Sequence, residues 1–324
     1  MLNFISRAFN SWEEDPVTGI ITKKSDTDRL KNEIDYYLLL PEELRIFFPR
    51  VIKFDTVNKN WFSLERYGYP DVGKILTKKT NVEMDWDKFF EHLYKILLIW
   101  KSHTPFSTAI SEVVDNTDCV AMYITKTETE VKAFKNQDRW PEVFLSDEII
   151  INGQKYKSFD VIWPDIREYL TKSVIPSYNP CIIHGDFCLP NILYNDSKIV
   201  KFIDPRGSFG KLKIHGDQRY DIAKLSHSVN GGYEFLNNGL FSVSKRKDKV
   251  NEWEYKLIGS LEEKNKAKEA FEKVFIGSLA NKKEIYLIEG LIFVGAAARH
   301  YENVDRQLAL FLVGLERLNI AMSL

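Results

Sequence analysis

The sequence predicts an α+β fold in two lobes, a small antiparallel-sheet N-terminal lobe over residues 1–68 and a larger, mainly helical C-terminal lobe over 69–324. Three observations carry that expectation. Short β-rich runs separated by turn residues fill most of the first 68 positions. From about Asp71 the apolar residues recur at helical spacing. Within the helical part, the apolar runs Cys181-Ile182-Ile183, Ile192-Leu193-Tyr194 and Ile199-Val200-Lys201-Phe202-Ile203 each stand beside a cluster of polar residues, so those clusters fall at the ends of short buried strands.

Taken in order, Phe4 to Trp12 reads as a strand, Asp15-Pro16-Val17-Thr18-Gly19 as a turn and Ile20 to Lys24 as the returning strand. Ser25 or Asp26 caps a helix through Leu40 with Leu30, Ile34, Tyr37 and Leu38 as its apolar stripe, and Pro41 stands where it stops. Phe48 to Phe54 and Trp61 to Tyr67 are two more strands, the second leading into Gly68-Tyr69-Pro70. Trp86 to His103 repeats Phe89, Phe90, Leu93, Ile96, Leu97 and Trp100 at helical spacing, and Met122 to Phe134 forms another helix. Asn152-Gly153, between Ile149-Ile150-Ile151 and Tyr156, signals a hairpin, followed by a helix from about Phe159 to Lys172. Lys245-Arg246-Lys247-Asp248-Lys249 reads as a solvated basic turn. Glu262 to Phe275, Lys283 to Tyr301 and Asn303 to Leu324 close the chain as helices.

Composition narrows the class of partner. Lysine plus arginine number 45 against 46 aspartate plus glutamate, so no general attraction to nucleic acid or a membrane surface is implied, and a small molecule is the expected ligand. With 44% apolar and 13% aromatic residues among 324, the chain can bury a substantial core, and no stretch approaches the length of a membrane span. The start, Met1 to Arg7, lacks the features of a secretory signal, which points to the cytoplasm. Cys119, Cys181 and Cys188 are too few and too irregular for a disulfide framework, and Cys181, His184 and Cys188 lack the close cysteine pairs of a structural zinc site.

The polar clusters carry the chemistry. His184-Gly185-Asp186-Phe187-Cys188-Leu189-Pro190-Asn191 is followed thirteen positions later by Asp204, within Phe202-Ile203-Asp204-Pro205-Arg206-Gly207. Phosphoryl transfer from ATP needs a carboxylate to orient and deprotonate a hydroxyl, together with oxygen ligands that hold Mg²⁺ against the phosphates. Any one of these residues alone reads as the polar part of a buried turn. A base, an amide and a second acid in this order, each beside a strand end, read as a phosphoryl-transfer site.

The segment from 181 to 233 resembles the aminoglycoside phosphotransferase and choline kinase superfamily, small-molecule kinases that share the protein-kinase fold and use His-Gly-Asp in place of His-Arg-Asp. Phe202 to Gly210, with Gly216-Asp217-Gln218-Arg219-Tyr220-Asp221-Ile222-Ala223-Lys224-Leu225, is similar to phosphotransferases associated with bacterial capsular polysaccharide. The resemblance implies a bilobal protein-kinase-like fold with Asp186 as catalytic base, Asn191 and Asp204 as Mg²⁺ ligands and His184 bracing the loop. Asp221 is implied as a buried carboxylate bonding back to that loop, with an N-cap role as the alternative. Arg206 meets a phosphate or substrate anion, or pairs with Asp217 or Asp221.

On the nucleotide side the resemblance favours Lys23 as the phosphate lysine, paired with Glu33, and Lys24 is the rival. Main-chain groups of Glu65, Arg66 and Tyr67 are the candidates for holding adenine. No G-x-G-x-x-G precedes Lys23, so either the Ser11 to Gly19 hairpin covers the phosphates or a shorter device does, and GTP stays open beside ATP. The acceptor pocket is expected around Phe209, Tyr220, Asp221, His227, Asn230 and Tyr233. These readings describe an ATP- and Mg²⁺-dependent kinase acting on a hydroxyl of a sugar or small alcohol for a surface polysaccharide. Aminoglycoside or choline/ethanolamine phosphorylation is the alternative. A pseudokinase scaffold is the reading from another class, favoured by the reduced N-terminal lobe and opposed by intact Asp186, Asn191 and Asp204.

Overall fold

The computed structural model describes residues 10–25, 29–105, 115–195, 197–246 and 251–324. Strands β1 (Asn10–Glu14) and β2 (Ile20–Ser25) form the expected hairpin, with Trp12 opposite Lys23. Its turn is held by the Asp15 carboxylate, which accepts the N–H groups of Val17 at 2.9 Å and Thr18 at 3.2 Å. The part of the expected first strand before residue 10, the start at Met1 to Arg7 and the cap candidate Asp26 lie outside the described residues. Ser25 is the last residue of β2, and its N–H donates to the Asn60 carbonyl at 2.9 Å.

Helix α1 (Arg29–Leu39) buries Leu30, Ile34 and Tyr37 as the spacing requires, but Leu38 is 40% exposed and Tyr36 is fully buried instead. The reason is that α1 packs on two sides. Tyr37 meets Phe62 of the sheet, while Tyr36 faces the His184 ring, so the buried arc turns toward Glu33 and Tyr36 and away from Leu38. Beyond Pro41 a short 3-10 turn leads into β3 (Val51–Phe54) and β4 (Trp61–Glu65). The sheet is antiparallel throughout, in the order β1-β2-β4-β3.

The remainder is mostly helical. Asp71 caps the short helix α2 (Val72–Leu76) and Asp85 caps α3 (Trp86–Ser102), which buries the six predicted apolar positions. The helix expected over Met122 to Phe134 begins earlier: α4 (Thr117–Cys119) continues through a π-helical stretch, Val120–Thr125, into α5 (Lys126–Asn136). Strands β5 (Glu148–Ile151) and β6 (Gln154–Lys157) turn at Asn152 and Gly153, both at positive φ, and α6 (Phe159–Tyr169) follows. The short strands β7 (Cys181–Ile182), β8 (Ile192–Tyr194), β9 (Val200–Phe202) and β10 (His215–Gly216) carry the polar clusters. Then come α7 (Gln218–Val229) and α8 (Tyr233–Asn237).

Strands β11 (Phe241–Lys245) and β12 (Glu252–Leu257) were not legible in the sequence. They join the β5–β6 hairpin in a second four-stranded sheet, order β11-β12-β5-β6, through a parallel β12–β5 pairing. The solvated basic turn is corrected at its start, because Lys245 belongs to β11 and lays its ammonium 5.5 Å from the Trp253 ring centre, while Arg246 pairs with Glu252. Lys247 to Lys249 lie outside the described residues. Helices α9 (Leu261–Phe275), α10 (Lys282–Arg299) and α11 (Val304–Ser323) close the fold. Among the described residues no helix is long and apolar enough to cross a membrane.

An aromatic cluster ties the two parts together. Phe48, just after the 3-10 turn, packs on Trp100 of α3 and Phe202 of β9 and stacks on His184 at 6.2 Å. A second tie is a backbone contact: Gly207 lies at φ +63°, and a Cβ there would sit 1.9 Å from the Asn32 carbonyl oxygen of α1. Gly207→Ala is therefore expected to cost about 1–3 kcal/mol through backbone strain alone, and more once α1 is pushed away. Thermal melting of the variant checks this, and an unchanged Tm would contradict the close approach.

Candidate active site

The β8–β9 hairpin assembles one side of the site. Its register pairs Ile192 with Phe202, and the N–H of Ile203 donates to the Asn191 carbonyl at 3.0 Å, so Asn191 and the residue after Ile203, Asp204, emerge at the same end. Asp204 adopts φ +55°, a conformation that aspartate tolerates better than most side chains. The Asn191 amide nitrogen donates to Asp186 twice, to its backbone carbonyl at 2.8 Å and to its carboxylate at 3.2 Å. That leaves the Asn191 amide oxygen outside these two bonds, at the same end of the hairpin as Asp204.

The loop before Asp186 is fixed from below by Asp221. One of its oxygens accepts the N–H of His184 at 2.7 Å and the other that of Gly185 at 2.8 Å. Burial pushes the Asp221 carboxyl up to about 7, with the two amides pulling the other way. Asp221 sits in the first turn of α7, and the N-cap is Asp217, which accepts the N–H of Arg219 and pairs with its guanidinium at 2.7 Å. His184 is fully buried among Tyr36, Phe48, Phe187 and Phe202, and burial lowers it to about 4. It is a neutral ring, with Nε2–H donating to the Ile203 carbonyl at 3.0 Å and Nδ1 accepting the Asp186 N–H at 3.3 Å.

From the N-terminal sheet, Lys23 reaches across the cleft. Its ammonium bonds to Glu33 of α1 at 2.7 Å and to Asp204 at 2.8 Å. Although burial alone would lower it, these two carboxylates hold the lysine above its ordinary range. Lys24, on the other face of β2, pairs with Glu13 in solvent. Trp12 of β1 lies 5.0 Å from the Lys23 ammonium, so the β1–β2 hairpin lays an aromatic ring on the lysine. Glu65 and Arg66 line a surface cleft with Thr18, Gly19 and Ile20, Arg66 pairing with Glu14 at 2.8 Å and the Tyr67 hydroxyl donating to Glu65 at 3.2 Å.

With that geometry established, the comparisons can be stated. The chain is 12% identical to choline kinase LicA from Streptococcus pneumoniae, covering 98% of this chain and 91% of that one at a TM-score of 0.52. Its likeness to LicA in complex with AMP is similar, 12% identity over 99% and 90% at 0.51. A thermostable mutant of aminoglycoside phosphotransferase APH(4)-Ia matches at 13% identity over 96% and 89%, with a TM-score of 0.51. The fold is that of these phosphotransferases. No protein-family model matches the sequence, and neither does any curated protein.

Among the described residues no group of three or more histidine, cysteine, aspartate or glutamate side chains gathers to hold a metal by itself. An amide oxygen on Asn191 and a carboxylate on Asp204 are nonetheless a donor set suited to Mg²⁺, which takes most of its ligands from water and phosphate.

Sequence reasoning missed Lys224. It stands one turn after Tyr220 on α7, and its ammonium is 2.7 Å from the Asp186 carboxylate. Burial would lower it, but Asp186 outweighs this and holds it above its ordinary range. The signal was a lone lysine within Ile222-Ala223-Lys224-Leu225, where its three neighbours are fully buried.

On the acceptor side the expectations divide. Arg206 pairs with neither Asp217 nor Asp221; its guanidinium donates to the Tyr220 hydroxyl at 3.4 Å. Both Asp221 oxygens are already engaged by the loop amides, and Asn230 is buried, its side-chain amide donating to Ser226 while its backbone carbonyl accepts from Lys264 and Arg317. His227 is buried between Tyr233 at 4.3 Å and Phe293 at 4.1 Å, with neither ring nitrogen hydrogen-bonded among the described residues. Phe209 packs in the core against Tyr123 and Tyr178.

Asp221→Ala is expected to orphan two buried amides at about 1–3 kcal/mol each, read as a lowered midpoint in urea unfolding. A variant as stable as the parent would show that the loop is not held there.

Proposed function

We propose that this chain is an ATP- and Mg²⁺-dependent small-molecule kinase that transfers the γ-phosphoryl group to a hydroxyl of a sugar or small alcohol. The observation that carries the reading is the Lys23 ammonium, bonded at once to Glu33 and Asp204, since this joins the nucleotide half of such a site to its metal half. Residues 1–68 would serve as the nucleotide-binding lobe and 69–324 as the catalytic and acceptor-binding lobe, with the main chain of Glu65, Arg66 and Tyr67 holding adenine.

The chemistry follows from the side chains. Asp186 accepts the proton of the acceptor hydroxyl as that oxygen bonds to the γ-phosphorus and the bond from phosphorus to the β,γ-bridging oxygen breaks, releasing the nucleoside diphosphate. Lys224 and Asn191 bond Asp186 from either side and aim its carboxylate. Mg²⁺, when bound by Asn191 and Asp204, supplies charge neutralisation at the phosphates. Lys23 holds the phosphates and Glu33 holds Lys23. His184 supports the loop without titrating near neutrality, because burial keeps it neutral.

The likeness of Phe202 to Gly210 and Gly216 to Leu225 to capsule-linked phosphotransferases supports an acceptor destined for a surface polysaccharide, phosphorylated in the cytoplasm where ATP is available. The solved structures of similar fold include a choline kinase bound to AMP and an aminoglycoside phosphotransferase, and they support a nucleotide-dependent transferase. The scaffold reading loses its footing where Lys23, Glu33, Asp186, Asn191 and Asp204 all converge.

Two variants test the proposal. Asp186→Asn is expected to lower kcat by about a thousandfold or more, the loss of general-base help and of charge together, while Mg–AMP-PNP still raises the Tm of the protein. Lys23→Ala is expected to abolish most of that nucleotide-induced shift. A wild-type protein that shows no shift at millimolar Mg–ATP would count against the kinase and for the scaffold.

A further inference from the structure

The residues beyond Asp186, on the side away from Asn191 and Asp204, are basic. Tyr220 is their hub: its hydroxyl receives Lys126 at 3.4 Å and Arg206 at 3.4 Å, and Lys224 projects from the same helix one turn later. These cations come from three separate elements, Lys126 from the start of α5, Arg206 from the loop after β9 and Lys224 from α7. A fourth, Arg299 at the end of α10, lies close enough to lower the Lys126 ammonium and is itself paired with Glu130. The carboxylates among them are Asp186, held by Lys224, and Glu130.

That leaves Lys126 and Arg206 sharing the Tyr220 hydroxyl as their side-chain partner, since neither forms an ion pair among the described residues. Burial lowers Lys126 to about 8, with Arg206, Arg299 and Lys224 pushing the same way against Tyr220. Tyr220 is lowered too, although its burial acts to raise it, because Lys126, Arg206 and Lys224 surround it. Like charges brought together and partly desolvated are destabilising unless an anion joins them. A crevice of about 10 Å³, room for a single water, lies on the Lys126 side of Tyr220 between Thr127, Glu130, Leu291 and Ile292; Arg206 and Asp186 do not line it, so the shared Tyr220 hydroxyl is what brings the two cations together.

Resting on the kinase reading above, we infer that the acceptor is an anionic hydroxyl compound, one bearing a phosphate or carboxylate group that seats on Lys126 and Arg206 while its hydroxyl meets Asp186. A guanidinium beside an ammonium suits either group. The same cluster repels choline and aminoglycosides, the cations named for the proteins of similar fold.

The test is calorimetric titration of the full chain saturated with Mg–AMP-PNP, so that the nucleotide's own phosphates are already in place. Glucose 6-phosphate and gluconate are compared with glucose, choline and kanamycin, the first two separating a phosphate from a carboxylate. Binding of at least one anionic probe tenfold tighter than glucose, lost tenfold in Lys126→Ala and restored in Lys126→Arg, is the expected result, with Arg206→Ala as an independent second variant. The preference should also weaken as pH rises through about 8, where Lys126 loses its charge; the titratable and charged groups that face it are Tyr220, Arg206, Arg299, Lys224 and Glu130. Preferential binding of choline or kanamycin overturns the inference. So does anion binding indifferent to Lys126, or a Lys126→Ala variant whose only defect is in AMP-PNP affinity. Failure of the wild type to bind Mg–AMP-PNP is a different outcome, which sinks the kinase reading; the anion preference is then read on the nucleotide-free protein.

Discussion

The Asp221 carboxylate is fully buried and spends both oxygens on two consecutive amides of the loop that begins at His184. A buried carboxylate is tolerated only where its lone pairs are taken up, and here the donors are backbone groups that have no partner in a strand or helix. The loop is thereby tied to the first turn of α7. Because Lys224 is three residues further along that helix, the same attachment sets its ammonium against Asp186. Arg206 follows as well, since its N–H donates to the His184 carbonyl. One carboxylate thus fixes the relative positions of Asp186, its cationic partner Lys224 and a second cation, Arg206.

The N-terminal half reaches this arrangement through a different constraint. Among the described residues its sheet has four strands, and its helix α1 lies between that sheet and the loop after β9. Glu33 leaves α1 on the buried side and Lys23 leaves the buried face of β2, so the pair forms only when helix and sheet are packed. Asp204 then meets the same ammonium from the other half. The lysine therefore reports whether both halves of the cleft are in register, and Trp12 above it limits the volume in which it can move.

Much of this was legible because it depends on short-range chemistry. The His184 to Asn191 and Asp204 clusters stand out as polar residues at the ends of apolar strands, and alternation along β2 separates Lys23 from Lys24. What escaped depends on distant packing. Leu38 fits the helical stripe as well as Tyr36 does, and only contact with His184 decides between them. Strand β12, Glu-Trp-Glu-Tyr-Lys-Leu, alternates polar with apolar residues but finds its sheet far back in the chain. The role of Lys224 is visible only when α7 is laid beside the loop, and the gathering of Lys126, Arg206 and Lys224 draws on three elements whose proximity no local pattern encodes.

The parallel pairing of β12 with β5 has a consequence for how the chain becomes this structure. Ile150 and Glu252 are partners across about a hundred intervening positions, and that interval contains the His184 loop, the β8–β9 hairpin and α7. Closing so long a loop costs entropy before the sheet contacts repay it. The two hairpins β5–β6 and β11–β12 are local and can form early. Their union waits until the segment between them has collapsed to a compact span. The second sheet is therefore a clasp that needs both hairpins in place, and a nascent chain that has not yet emerged past residue 257 has no means of fastening it.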